Sequence, residues 1–171
     1  LRTGQEMRKE NAPAMFYHAL ALQGLGREEE ALNRYAQVAE LAVAQSLEAA
    51  TELAKLHLKR GDVSRARDRI DQARAMWTND KSPRSEQERQ RITAMLATAE
   101  GRILAAEDRP DAALEAFQRA TQADPDYPPA ALELGLYYIR NGALQQGVNA
   151  LQRYVDLAET HQDAGRVNEI Q

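Results

Sequence analysis

AMLATAEGRILAAEDRPDAALEAFQRATQADPDY, residues 94–127, reads as a helix, a tight turn, a second helix and a stop at Asp124-Pro125. Gly101, Leu104, Ala113, Phe117, Ala120 and Pro125 fall at offsets that recur along the chain. The recurrence has a period near the ~34 residues of one helical-hairpin repeat.

Aligning on the turn glycine and the small residue five positions later gives four units. Repeat 1 covers 12–46, with Gly26, Ala31, Tyr35 and Val38 in register. Repeat 2 covers 47–80, with Leu53, Ala54, Gly61, Ala66, Ile70 and Ala73. Repeat 3 is the opening stretch, 94–127, with Asp108 where the turn glycine would stand. Repeat 4, 128–161, follows without a gap and carries Leu134, Gly135, Tyr138, Gly142, Gly147, Leu151 and Tyr154. Small residues such as Ala54, Gly101 and Gly135 let a partner helix approach closely, because interhelical distance follows the size of the contact residues. Tyr35, Ile70, Phe117 and Leu151 fill the space toward the next unit. A single hairpin cannot bury both faces, so neighbours stack.

Between repeats 2 and 3 lies an insertion, 81–93, reading KSPRSEQERQRIT. Pro83 breaks any helix there, and Ser85 with Glu88 forms a capping box that starts a helix at Glu86. That helix runs to Ala106 and makes the first helix of repeat 3 overlong, a solvated extension or, alternatively, a docking protrusion. At the ends, 1–11 reads as the close of a preceding repeat, with Leu1, Gly4 and Met7 at core positions. Residues 162–171 read as the start of a further or capping helix. Both suggest a segment of a longer repeat protein.

Together these motifs resemble the tetratricopeptide repeat family over nearly the whole chain. That family's pattern has a large residue, Leu-Gly and an aromatic in its first helix, then Ala, an aromatic, Ala and Pro. Repeat 3 supplies Gly101, Ala113, Phe117, Ala120 and Pro125, and repeat 4 supplies Leu134-Gly135 and Tyr138. Repeat 2 departs with Ala54 for the glycine and His57 for the aromatic, and repeats 1 and 2 lack the closing proline. The resemblance implies an all-α fold, a right-handed α-solenoid of about four helical hairpins. It also implies a non-catalytic scaffold that binds a protein or peptide in a concave groove lined by first helices.

Carried over position by position, the inward set is Phe16, Leu20 and Gln23 in repeat 1, and Thr51, Lys55, Leu58 and Lys59 in repeat 2. Repeat 3 gives Met95, Thr98 and Arg102, and repeat 4 gives Leu132, Leu136, Ile139 and Arg140. Some relatives grip a terminal carboxylate with Lys and Asn at inner positions, but Phe16 and Leu20 stand there, so that clamp does not carry over. An acidic or amphipathic partner segment fits instead, with Lys55 and Arg102 pairing its carboxylates; an anionic polysaccharide is the alternative partner. The plainer reading of the same residues is a set of ordinary exposed helix positions.

Composition narrows the classes further. A chain of 171 residues lies in the range of a single domain. Apolar residues make up 43% but aromatics only 5%, an Ala- and Leu-rich composition that suits helix packing over a β-sandwich. The net charge is −4 with acid and base interspersed, which argues against nucleic acid, since such binders show a basic face. There is no cysteine, so thiolate metal sites are excluded. No run of about 18 apolar residues exists to span a bilayer.

Candidate chemistry is sparse. His18 and His57 sit at core-facing positions without converging carboxylates, and His161 reads as solvent-exposed. Glu28-Glu29-Glu30 stands at a helix start, where the dipole favours negative charge. Gly24-Leu25-Gly26 links two helices and follows no strand, unlike a phosphate loop. The sequence therefore predicts no catalytic residue, metal or cofactor. The Ala, Arg and Gln usage points to a bacterial source, and within bacteria to envelope, secretion, polysaccharide-export or protease-adaptor assemblies, with the envelope ahead of the cytoplasm. A self-associating spacer, or the regulatory arm of an enzyme or export pore encoded elsewhere, are the rival functions.

Overall fold

The computed structural model describes residues 11–41 and 44–168. Among them are eight helices and no strand: α1 Ala12–Gly24, α2 Glu28–Ala39, α3 Ala44–Lys59, α4 Val63–Asn79, α5 Glu86–Ala106, α6 Pro110–Ala123, α7 Pro128–Arg140 and α8 Leu144–Asn168. They form four hairpins of the tetratricopeptide solenoid class. Each hairpin turns on one residue in the left-handed region: Gly26 (φ 74°), Gly61 (φ 75°), Asp108 (φ 57°) and Gly142 (φ 78°). Aspartate is one of the few side chains that tolerates that conformation, so Asp108 keeps the register where the glycine is missing. Positions below are counted from this turn residue, T.

The chain divides into two compact units, Leu1–Ser82 and Pro83–Gln171, where its length suggested one domain. The division falls in the Pro83 segment, after Asp80 leaves α4 with an extended backbone (φ −72°, ψ 114°).

In the first unit, α1 to α3 close over a core of Phe16, Ala19, Leu22, Ala31, Leu32, Tyr35, Leu53 and Leu56. Phe16 and Tyr35 meet edge to face at 5.7 Å, and the Tyr35 hydroxyl donates to Gln23 Oε1 at 2.8 Å. Burial, reinforced by the nearby Glu52 carboxylate, pushes the Tyr35 phenol well above its ordinary pKa. Ser46, 1% exposed, donates to the Val38 carbonyl at 3.0 Å and ties the start of α3 to the end of α2. The Glu28–Glu30 run occupies the first turn of α2 and pairs with Lys59, Arg60 and Arg27. These carboxylates are thus engaged with neighbouring cations.

In the second unit, Ser85 caps α5: its hydroxyl accepts from the Glu88 N–H at 3.2 Å, and Glu88 accepts from the Ser85 N–H at 2.8 Å. Close approach is set by glycine. A Cβ on Gly101 would lie 2.6 Å from Phe117 Cδ1, and one on Gly135 would lie 2.8 Å from Leu151 Cγ. The N-terminal extension of α5 is anchored through Arg91. Its Nε lies 2.6 Å from Asp124 Oδ2, Nη2 donates to the Asp126 carbonyl at 3.3 Å, and the guanidinium sits 5.1 Å from the Tyr127 ring centroid. Asp124, 7% exposed, also accepts from the Asp126 N–H at 3.0 Å through Oδ1. From the other side, Arg153 of α8 donates to the Pro125 carbonyl at 3.1 and 2.9 Å. The Asp124–Tyr127 turn is therefore held by two arginines.

Residues 1–10 lie outside the described residues, as does the His161 side chain. Beyond 161, where a further helix was expected to begin, α8 continues unbroken to Asn168. No proline or glycine interrupts the chain from Val148 to Ala164, so nothing there stops the helix.

Candidate protein-binding surface

The first helix of each hairpin was expected to carry the binding residues, and burial sorts them. In the first unit, Phe16 (9% exposed) and Thr51 (3%) belong to the core. Phe16 packs on Tyr35, and the Thr51 hydroxyl donates to the Glu48 carbonyl at 2.8 Å. Leu20 is 38% exposed, Leu58 is half-buried and Lys59 is exposed. In the second unit, Thr98 is 2% exposed, its hydroxyl donating to the Ala94 carbonyl at 2.7 Å. Met95, Leu132 and Leu136 are half-buried, Ile139 is 37% exposed, and Arg140 is exposed with no ion pair among the described residues. Phe16, Thr51 and Thr98 are thus removed from any partner surface: the short Thr side chains turn back onto their own helix, and the Phe16 ring fills the first hairpin.

Charge is also arranged differently from the expectation. Lys55 pairs with Glu52 on its own helix, and Lys59 pairs with Glu28 of α2. The Lys59 ammonium holds the Glu28 carboxyl below its ordinary pKa. Arg102 places Nε and Nη2 at 2.9 and 2.7 Å from Glu133 Oε1 across α5 and α7, with both side chains about one-fifth exposed. Lys55 and Arg102, the two basic groups expected to meet a partner's carboxylates, each already have an ion-pair partner within the chain, as does Lys59.

A second feature of the first unit was not read from the sequence. A cleft of about 420 Å³ is lined by His57, Arg60, Asp62, Arg65, Arg69 and Glu29, with Leu32 and Leu53 at its apolar side. Its signal was present as Arg65 and Arg69 at i, i+4 on α4, beside His57 and Arg60. Its charges are matched in part: Arg60 meets Glu29 at 2.8 Å and Arg65 meets Asp62 at 3.3 Å. His57, expected in the core, is half-buried at this wall. His18, also expected in the core, is exposed, because its position on α1 points away from α2.

Burial lowers the His57 pKa from its ordinary 6.5, with Asp62 acting in the opposite direction. An imidazole that resists protonation when folded but takes a proton when unfolded favours unfolding as the pH drops. Its contribution is complete above pH 6.5 and is lost as the pH falls below 6.5 toward the folded value. Urea midpoints should therefore decrease on acidification through this window, and His57→Gln should flatten the decrease. An unchanged slope in the variant would show that other groups set it; the Glu48 carboxyl, raised by burial, works with the opposite sign at lower pH.

Among the described residues no three His, Asp or Glu side chains converge as metal ligands, and no helix is long and apolar enough to cross a membrane. What remains is a series of hairpins in one register, offering mixed apolar and ion-paired helix surfaces. That defines a helical-repeat protein. Residues 101–170 match the tetratricopeptide repeat family. Over that stretch the sequence carries the tetratricopeptide repeat pattern, and the described helices as a whole have the fold of tetratricopeptide solenoids.

Solved structures of similar fold include TTC0263, a thermophilic TPR protein in Thermus thermophilus (23% identity, TM-score 0.58, covering 92% of this chain and 85% of that one). MamA 41-end from Desulfovibrio magneticus RS-1 is similar at 17% identity and TM-score 0.55, covering 90% and 78%. BtubC from P. vanneervenii is similar at 13% and 0.62, covering 88% and 64%. At these identities the likeness is one of fold. No curated protein matches the chain significantly in sequence.

Proposed function

We propose that the chain is a non-catalytic scaffold whose first helices receive an amphipathic, apolar-anchored segment of a partner protein. One observation carries this reading. At T−6 and T−3 of the first helices Leu20 and Ile139 are exposed and Leu58 and Leu136 half-buried, while Lys55 and Arg102 at the same T−6 position are tied to Glu52 and Glu133. A surface that is apolar and internally charge-balanced favours apolar anchors over carboxylates, because displacing an existing ion pair gains little. A bacterial multi-protein assembly of the envelope, secretion, export or protease-adaptor kind is the setting we infer, supported by residue usage.

The test is peptide display against the folded chain, followed by affinity measurement on the selected peptides. Amphipathic peptides should be enriched, and Leu136→Glu should weaken them about 10-fold or more, as loss of an anchor contact does. Lys55→Gln/Arg102→Gln should change affinity far less. Acidic peptides lost in that double variant would restore the carboxylate-pairing reading, or an anionic polysaccharide, in place of this one. Absence of any enriched peptide would remove the groove.

A further inference from the structure

Helices α2 and α4 each pack on α3 but, among the described residues, not on each other. A trough therefore runs between these two second helices with α3 as its floor, and two cavities follow one another along it. The first is the cleft of about 420 Å³ that holds His57. The second, about 370 Å³, is lined by Ala39, Ala50, Ala73 and Met76 on its apolar side, with Glu40 and Gln72 beside them. Arg69 lines both. Arg65, Arg69, Ala73 and Met76 fall at helical spacing on one stripe of α4.

The first cavity is open because two side chains are exchanged. At T+10 of the second helix and T−4 of the next first helix stand Ala36 and His57, and both line the cleft. In the second unit the same positions hold Gln118 of α6 and Tyr138 of α7. There Gln118 Nε2 donates to the Tyr138 hydroxyl at 3.3 Å and closes the equivalent space. The charged lining is not repeated in the second unit either. Where the cleft has Arg60, Asp62, Arg65 and Arg69, the corresponding residues are Asn141, Ala143, Gln146 and Ala150.

Arg60 and Arg65 are paired with Glu29 and Asp62. Arg69, half-buried, donates to Gln72 Oε1 at 3.3 Å and has no carboxylate partner among the described residues. Three guanidinium groups against two carboxylates leave the cleft positive in a chain whose net charge is −4. His57 senses that field: burial lowers its pKa, and Arg65, Arg69 and Arg60 add to the lowering against Asp62. A carboxylate delivered to Arg69 would break no existing ion pair and could take two parallel N–H bonds from it.

We propose that this trough receives a segment of a partner protein that carries an acidic and an apolar anchor, the carboxylate on Arg69 and the apolar side chain on Met76. Arg69 to Met76 spans two turns of α4, ~10 Å, so the anchors stand about seven residues apart in a helical partner. A phosphate backbone would make no use of the apolar cavity, and Glu29, Asp62 and Glu40 would oppose its repeated charge. The trough lies on second helices and shares no residue with the first-helix surface proposed above. It goes beyond that reading, and either can fail alone.

The test is peptide display on the wild-type chain, with the affinities of enriched peptides then measured on three variants. Peptides carrying Asp or Glu about seven residues from a Leu, Ile or Phe should be enriched. Arg69→Gln should weaken them about 10-fold or more. Leu136→Glu should leave them unchanged, which separates them from peptides held by the first helices. Ala36→Gln/His57→Tyr, which rebuilds the Gln118–Tyr138 arrangement, should abolish binding while the circular dichroism melt stays at or above that of wild type. Acidic peptides held as tightly by Arg69→Gln, or by the filled-cleft variant, as by wild type would overturn the proposal. So would a selection that enriches no acidic peptide while inorganic phosphate alone shifts the His57 ring resonances, the mark of a small-anion site.

Discussion

Replacing Gly101 with leucine should unfold the second unit at a temperature well below that of the wild type. The ring of Phe117 occupies the space a Cβ would need, with Cδ1 2.6 Å from it, and both residues are buried. Removing a helical glycine gains about 1 kcal/mol in propensity, whereas forcing a full side chain into this packed contact costs about 3 kcal/mol or more. Overpacking wins, and the melting temperature should fall by roughly 10 °C. Hydrogen exchange should show lost protection in α5 to α7 and retained protection in α1 to α4. Phe117→Leu in the same molecule should recover part of the loss, since contacting sites do not add. A Gly101→Leu protein as stable as wild type would mean that α5 and α6 do not meet at this pair.

The second large effect is expected at Arg91. Its guanidinium stands 2.6 Å from Asp124 Oδ2, an oxygen that otherwise has no hydrogen-bond partner; the contact is an ion pair by distance rather than an aligned hydrogen bond. Breaking a buried pair from one side costs about 3–5 kcal/mol. Arg91 is 36% exposed, so solvent reduces this, and Arg91→Met should cost about 2 kcal/mol by the same reasoning. Adding Asp124→Asn should return much of the loss, because it removes the stranded charge while Oδ1 still accepts from Asp126. Chemical denaturation of the single and double variants measures this directly. A double variant no more stable than Arg91→Met would show that the aromatic contact with Tyr127, and not the charge, carries the effect.

Local signals in the sequence were legible, and long-range pairings were not. Gly26, Gly61 and Gly142 revealed the turns because positive φ excludes most side chains, and Asp108 could be placed by register for the same reason. Ser85 and Glu88 announced the start of α5 because a capping box is completed within four residues. By contrast, Arg102–Glu133 joins residues 31 positions apart, and periodicity shows which face a residue shares without showing which charge stands opposite. The same limit applies to Lys59 and Glu28. Phe16 was assigned to the surface by family position, but a large ring beside Tyr35 gains more from enclosure than from solvent. His18 failed in the reverse sense: the same T−8 position is buried in α3 and half-buried in α7, where a neighbouring second helix packs on it, but exposed on α1.

Every helix–helix contact of the described chain joins elements no more than two apart in order. Only short loops must therefore close before native contacts form, and the entropy of chain closure grows with loop length. Low sequence separation of contacts is the property that makes helical proteins reach their native state in microseconds to milliseconds. The hairpins can thus assemble as the polypeptide lengthens during synthesis, each first helix waiting only for the next few dozen residues before it is matched.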